Sequence, residues 1–127
     1  MGIYGYAWEP IKVHTEDGYT LTMMHVLGKN TYAPDGSVTT YEGTRTQGPI
    51  LIQSSMGTSP DQWLDYYFME DPTKNAVPLH LYDDGFDVFF SFSRGTEPSR
   101  VHDTYSAMDE KFWDFTWYEL GMYDTKA

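Results

Sequence analysis

Apolar and polar residues alternate along Ile11-Lys12-Val13-His14, a turn follows at Glu16-Asp17-Gly18, and Tyr19-Thr20-Leu21-Thr22-Met23-Met24-His25-Val26 makes a second β-rich run. Asp-Gly between two such runs is a hairpin signal, because the tight turn needs residues that accept positive φ. Residues 28–48 are rich in Gly, Thr, Ser and Asn and carry Pro34-Asp35-Gly36. They predict a surface loop within one domain, since no independent core lies on either side. Pro49-Ile50-Leu51-Ile52-Gln53 is a short continuous apolar run, the pattern of a strand buried on both faces.

Small residues from Ser54 to Pro60 predict a loop, with Ser59 as N-cap and Pro60 at the first helical position. Asp61 adds a negative charge near the positive end of that helix. Short helices are expected over 60–70 and 75–83, separated by Asp71-Pro72, and a buried strand over 87–90. Ser106-Ala107-Met108-Asp109 is a variant of the capping box and opens a predicted helix over 107–123. On that helix Phe112, Phe115 and Met122 fall near one face, and Trp113, Trp117 and Gly121 near another. Apolarity on nearly all sides predicts a helix buried on more than one side. Hairpin, strand, helices, strand and helix in this order define an α/β chain with a mixed sheet that becomes parallel.

With 127 residues the chain is one domain or part of one, and 40% hydrophobic with 17% aromatic residues suffices for a core. The net charge of −11, from 19 acidic against 8 basic residues, argues against nucleic acid and against anionic membranes as partners. The absence of cysteine excludes disulfides and zinc–thiolate sites. Met1-Gly2-Ile3-Tyr4-Gly5-Tyr6 has neither the basic nor the apolar region of a secretory signal, and Tyr6 stands where a myristoylation signal takes Ser or Thr. No apolar run reaches the ~20 residues of a membrane helix.

The run Gly85-Phe86-Asp87-Val88-Phe89-Phe90-Ser91-Phe92-Ser93-Arg94-Gly95 is followed by Ser99-Arg100-Val101-His102 and Phe112-Trp113-Asp114-Phe115. Before it come Gly5-Tyr6, Thr15-Glu16-Asp17-Gly18-Tyr19-Thr20-Leu21, and Ile50-Leu51-Ile52-Gln53 with Trp63 ten residues on. After it come Glu119-Leu120 and Met122-Tyr123-Asp124. Taken in this order, the set resembles the N-terminal part of the acid lipases, the gastric and lysosomal lipase family of α/β-hydrolases. The resemblance spans nearly the whole chain. It implies a partial α/β-hydrolase lipase domain over 1–127 that ends before the Gly-x-Ser-x-Gly nucleophile elbow. The parent activity it implies is hydrolysis of carboxylic esters in neutral lipids, triacylglycerols or sterol esters, in a secreted or lysosomal setting.

In that family the strand before loop 54–58 ends in a His-Gly-Leu-type turn, and the backbone N–H of the Leu position helps to bind the oxyanion. The residue matching it here is Met56, the one catalytic position the resemblance implies. Ser54 stands at the family's His and Ser55 at its Gly, a change that matters if the turn needs positive φ. An ordinary strand-to-helix loop is the alternative.

Ser91-Phe92-Ser93-Arg94-Gly95 aligns with the turn after an earlier strand of the family, so Ser93 is not expected to be a nucleophile. Arg94 and Arg100 are expected to tie loop 93–106 to nearby carboxylates or carbonyls. His102 is expected to make structural hydrogen bonds, and His14 and His25 to pack or face solvent; His80 falls in a short helix. The acidic pairs Asp83-Asp84 and Glu16-Asp17 adjoin glycine turns and read as solvated carboxylates, so neither a metal nor a cofactor is expected.

Two functional classes remain open at this point. One is a lipase segment, inactive alone, completed by a second polypeptide that carries the serine, acid and histidine. The other is a non-catalytic, lipase-derived fragment that binds lipid or protein through its aromatic surface.

Overall fold

The computed structural model describes residues 2–3, 5–64 and 76–127. Among these, the strands are β1 (Gly2–Ile3), β2 (Tyr6–His14), β3 (Tyr19–Tyr32), β4 (Val38–Tyr41), β5 (Gly48–Gln53), β6 (Phe86–Phe92) and β7 (Val101–His102), all in one sheet. The main path runs β1-β2-β3-β6-β5. One edge of β3 pairs with β2, and β7, β6 and β4 also pair with β3, at successive positions along its length. Only β5 and β6 are parallel. This is an open, mixed sheet with few helices, the α/β arrangement expected from the sequence.

The opening hairpin turns at Asp17-Gly18, where Gly18 has φ 94°. Thr15 is the turn's clamp. Its hydroxyl donates to Asp17 Oδ1 at 2.7 Å and accepts from the Tyr19 N–H at 2.9 Å. The expected surface loop over 28–48 is largely a second hairpin instead. Its Pro34-Asp35-Gly36 stretch is the turn between the end of β3 and β4. All of β4 is exposed, so no hydrophobic alternation marks it. Cross-strand polar pairs hold it, such as Thr40 Oγ1 donating to Asn30 Oδ1 at 2.9 Å.

Alternation along the strands separates two faces. On one, Tyr6, Trp8, Val26, Val88 and Phe90 pack with Leu79 and Tyr82 of helix Val77–Asp83 and with Leu64, forming the main core. On the other, Tyr19 and Leu21 pack with Phe112 at one end of the sheet. The rest of that face carries a groove of about 390 Å³ lined by Val13, Met23, Leu51 and Phe89 among others.

Two expectations change. Strand β5 is not buried on both faces: Ile50 and Ile52 pack on the main core, while Leu51 is 53% exposed on the groove side. Among the described residues β5 pairs with β6 alone, so it is an edge. A continuous helix over 107–123 does not form. Residues Glu110–Trp113 make a 3-10 turn, 114–116 are irregular, and a new helix starts at Trp117–Glu119 and continues as a π turn over Leu120–Asp124. Thr116 and Glu119 form a reciprocal capping box there, which sets the start. Trp117 (71% exposed) and Tyr118 face outward, contrary to burial on several sides. Of the helices expected over 60–70 and 75–83, the structure has a 3-10 turn at Pro60–Leu64 and helix Val77–Asp83; residues 65–75, with Asp71-Pro72, lie outside the described residues.

Candidate active site

Parallel strands β5 and β6 end side by side, and their following loops, 54–58 and 93–96, meet at the carboxyl end of the sheet. In open α/β sheets ligands bind outside that end. Ser93 is buried, and its hydroxyl donates to the Ser54 carbonyl at 3.1 Å, joining the two loops. The Ser54 hydroxyl is itself buried and, among the described residues, makes no hydrogen bond. Residues Ser55 to Thr58 form a β-turn in which the Thr58 N–H donates to the Ser55 carbonyl at 3.0 Å. Gly57, with φ 77°, is the left-handed residue of this turn, at the third position of a type II pattern.

Met56 occupies the second position. It lines a cleft of about 380 Å³ with Gln53, Ser54, Ser93, Trp117 and Leu120. Among the described residues no group accepts a hydrogen bond from the Met56 N–H.

Arg94 and its partners brace this end of the sheet. The guanidinium is fully buried and lies 4.0 Å over the Tyr19 ring. It donates from Nη1 to Asp17 Oδ2 at 2.7 Å and from Nε to Asp124 Oδ1 at 2.9 Å. Burial works against its charge, but the hydrogen bonds and charges of Asp124 and Asp17 outweigh that and raise its pKa. Burial likewise pushes the Asp17 carboxyl up. Hydrogen bonds from Arg94 and Thr15, with the Arg94 charge, reverse this and hold it below the ordinary value. Arg100 Nε donates to the Gly95 carbonyl at 2.7 Å. Gly95 has φ 79°, and a Cβ there would stand 2.6 Å from Trp113 Cζ3.

His102 is locked in one orientation. Its Nδ1 accepts from the N–H groups of Thr104 and Tyr105, so Nε2 carries the proton and donates to the Asp17 carbonyl at 3.1 Å. His14 pairs with Asp103 at the exposed hairpin. His25 holds a more connected position than packing or solvent exposure. It is stacked on Phe89, with Nδ1 3.0 Å from Glu9 Oε1 and Nε2 2.8 Å from Asp87 Oδ1. Arg45 Nε also donates to Asp87 Oδ1, at 3.0 Å. Burial raises the Asp87 pKa, but the His25 and Arg45 hydrogen bonds and charges prevail and lower it. These residues are far apart in the chain, and no local pattern announces them.

Ser93 has its proton committed to Ser54, and the ring nitrogens of His14, His25 and His102 meet Thr20 and Asp103, Glu9 and Asp87, and the Asp17 carbonyl with the Thr104 and Tyr105 N–H groups. Of the two acidic pairs, Glu16 and Asp84 are exposed as expected, with Glu16 beside Lys126, whereas Asp17 is drawn into the Arg94 cluster and Asp83 pairs with Lys29. Among the described residues no group of three His, Asp or Glu could hold a metal ion. No described helix is long and apolar enough to cross a membrane.

Known proteins are similar to this chain in sequence. Residues 1–66 match the family described as the partial alpha/beta-hydrolase lipase region, and the chain belongs to that family. It is 36% identical to triacylglycerol lipase 2 of Arabidopsis thaliana over 98% of its length and 27% of the relative's. It is 35% identical to lipase 1 of Drosophila melanogaster over 98% of its length and 24% of the relative's, and 33% identical to human lipase member N over 94% and 27%. The chain thus spans about a quarter of the length of these relatives.

Proposed function

We propose that this chain is the front of a serine ester hydrolase acting on neutral lipids, triacylglycerols or sterol esters, in a secreted or lysosomal setting. The observation that carries the reading is the Met56 N–H, a backbone donor with no described acceptor, on a residue that lines the cleft at the carboxyl end of β5. When a nucleophile attacks an ester carbonyl, the oxygen takes up negative charge. A donor already fixed at that point stabilises the tetrahedral intermediate without reorganising. The Met56 side chain is not needed for this, so Met in place of Leu is compatible with it. Nor does Ser55 obstruct it, because the turn takes its left-handed residue at Gly57.

Ser93 donates its proton to the Ser54 carbonyl, and His102 and His25 are held by Asp17 and by Glu9 and Asp87, so the nucleophile, base and acid are assigned here to protein beyond these residues. A second polypeptide pairing with the free edge of β5 is one form of that completion. On this reading the chain by itself does not hydrolyse esters. Met56 and Trp117 line the cleft as exposed apolar residues, and Tyr118 and Met122 are exposed on the same short helical segment as Trp117, which favours a second reading: a non-catalytic module that binds lipid or protein.

The test is p-nitrophenyl ester hydrolysis by the chain as purified from its source, with mass spectrometry of everything that accompanies it. Hydrolysis together with a Gly-x-Ser-x-Gly sequence in the preparation supports the hydrolase. Lipid binding with no hydrolysis and no such sequence supports the second reading and overturns the first.

A further inference from the structure

The peptide unit that carries the Met56 N–H is also the one that carries the Ser55 carbonyl. That unit is planar and trans, so its C=O and N–H point to opposite sides and turn together. The direction of the Met56 donor is therefore set by what holds the Ser55 oxygen. Thr58 holds it twice, with its N–H at 3.0 Å and its hydroxyl Oγ1 at 2.7 Å. A carbonyl oxygen has two lone pairs, and Thr58 supplies donors for both. Donation to the oxygen also polarises the amide and makes its N–H a better donor. The preceding peptide is held in a similar way, because the Ser54 carbonyl accepts from the buried Ser93 hydroxyl at 3.1 Å.

We infer that the Thr58 hydroxyl is a positioning group for the Met56 donor, acting through the shared Ser55–Met56 peptide. This rests on the hydrolase reading and deepens it. The hydroxyl touches no reacting atom. It narrows the range of orientations open to a turn that is otherwise closed by a single backbone hydrogen bond. An exposed turn without that second bond still forms, but its central donor swings more widely. The loss should then fall on the transition state, where the oxyanion is strongest, and not on ground-state binding.

Three substitutions, made in the source cells and purified with all accompanying polypeptides, test this on a short p-nitrophenyl ester. T58V keeps the shape and removes the hydroxyl; T58S keeps the hydroxyl. M56P removes the N–H itself at a position of a type II turn that proline fits. The expected result is a kcat lowered roughly 5- to 10-fold in T58V, with KM within about twofold and an unchanged melting temperature, corresponding to one hydrogen bond. T58S restores kcat, and M56P lowers it on the order of 100-fold or more. If M56P is impaired but T58V matches the parent, or T58V changes only KM and melting temperature, the positioning role is overturned while the Met56 reading stands. If M56P hydrolyses ester as fast as the parent, or the parent does not hydrolyse it, both are overturned.

Discussion

Arg94 donates to Asp17 across 77 positions of sequence, joining the turn that follows β6 to the turn of the opening hairpin. Asp124 completes the site from the last helical turn, so one buried cation fastens three separate segments. A buried charge is stable only while its partners remain, and removing one member leaves the others uncompensated. Replacing Arg94 with Ala should therefore destabilise the fold by roughly 3–5 kcal/mol, measured by urea unfolding. A loss under about 1 kcal/mol, the range of exposed ion pairs, would show that the cluster is solvated in solution.

Two paired carboxylates set an acid limit. Asp17 and Asp87 both have pKa values lowered from the ordinary 3.8. A carboxylate with a depressed folded pKa contributes stability that is fully present above the unfolded value and is lost as pH falls through the folded one. Urea midpoints should be level above the ordinary carboxylate range and fall below it. D17N should be less stable at neutral pH and should show a shallower acid decline. An acid limb as steep as the parent's in D17N would remove Asp17 from the account.

The two sides of β5 and β6 should respond oppositely. Phe90 is fully buried in the main core, and Phe90→Ala should cost roughly 3–5 kcal/mol. Leu51 is exposed on an open edge, and Leu51→Glu should change stability by no more than about 0.5 kcal/mol while slowing aggregation, measured by light scattering. Strong destabilisation by Leu51→Glu would mean that the groove face is covered in the native protein.

Ser54 is buried with a hydroxyl that bonds to nothing described. Substituting Ala removes an unsatisfied polar group and should raise stability by roughly 1 kcal/mol. Ser93→Ala leaves the Ser54 carbonyl without its donor and should lower stability by roughly 1–3 kcal/mol. A loss of stability in Ser54→Ala would indicate a bound water or ligand at that hydroxyl.

Parts of this structure are legible in the sequence because their signals are local. Asp17-Gly18 marks its hairpin by turn chemistry. Ser59-Pro60 marks the start of the short helical turn that follows the Met56 loop. Ile50-Leu51-Ile52 reads the same whether one face of its strand is covered or both, so periodicity could not show that Leu51 is half exposed. Thr39 and Thr40 in β4 face solvent and leave no alternation to read. The break before Trp117 was visible in Thr116 and Glu119, a better capping box than Ser106 and Asp109, but the apolar residues around it suggested an unbroken helix. The link from Glu9 through His25 to Asp87 and Arg45 spans four segments and exists only once the sheet register is set. The Thr58 clamp depends on a turn geometry that sequence alone does not specify.

The most direct measurement is the structure of the purified protein, with its accompanying polypeptides, after treatment with an alkyl phosphonate, whose phosphonyl oxygen stands in for the oxyanion. That oxygen should lie about 2.7–3.1 Å from the Met56 nitrogen, within the cleft lined by Ser93 and Trp117. A phosphonate seated elsewhere, with its oxygen held by other donors, would contradict it.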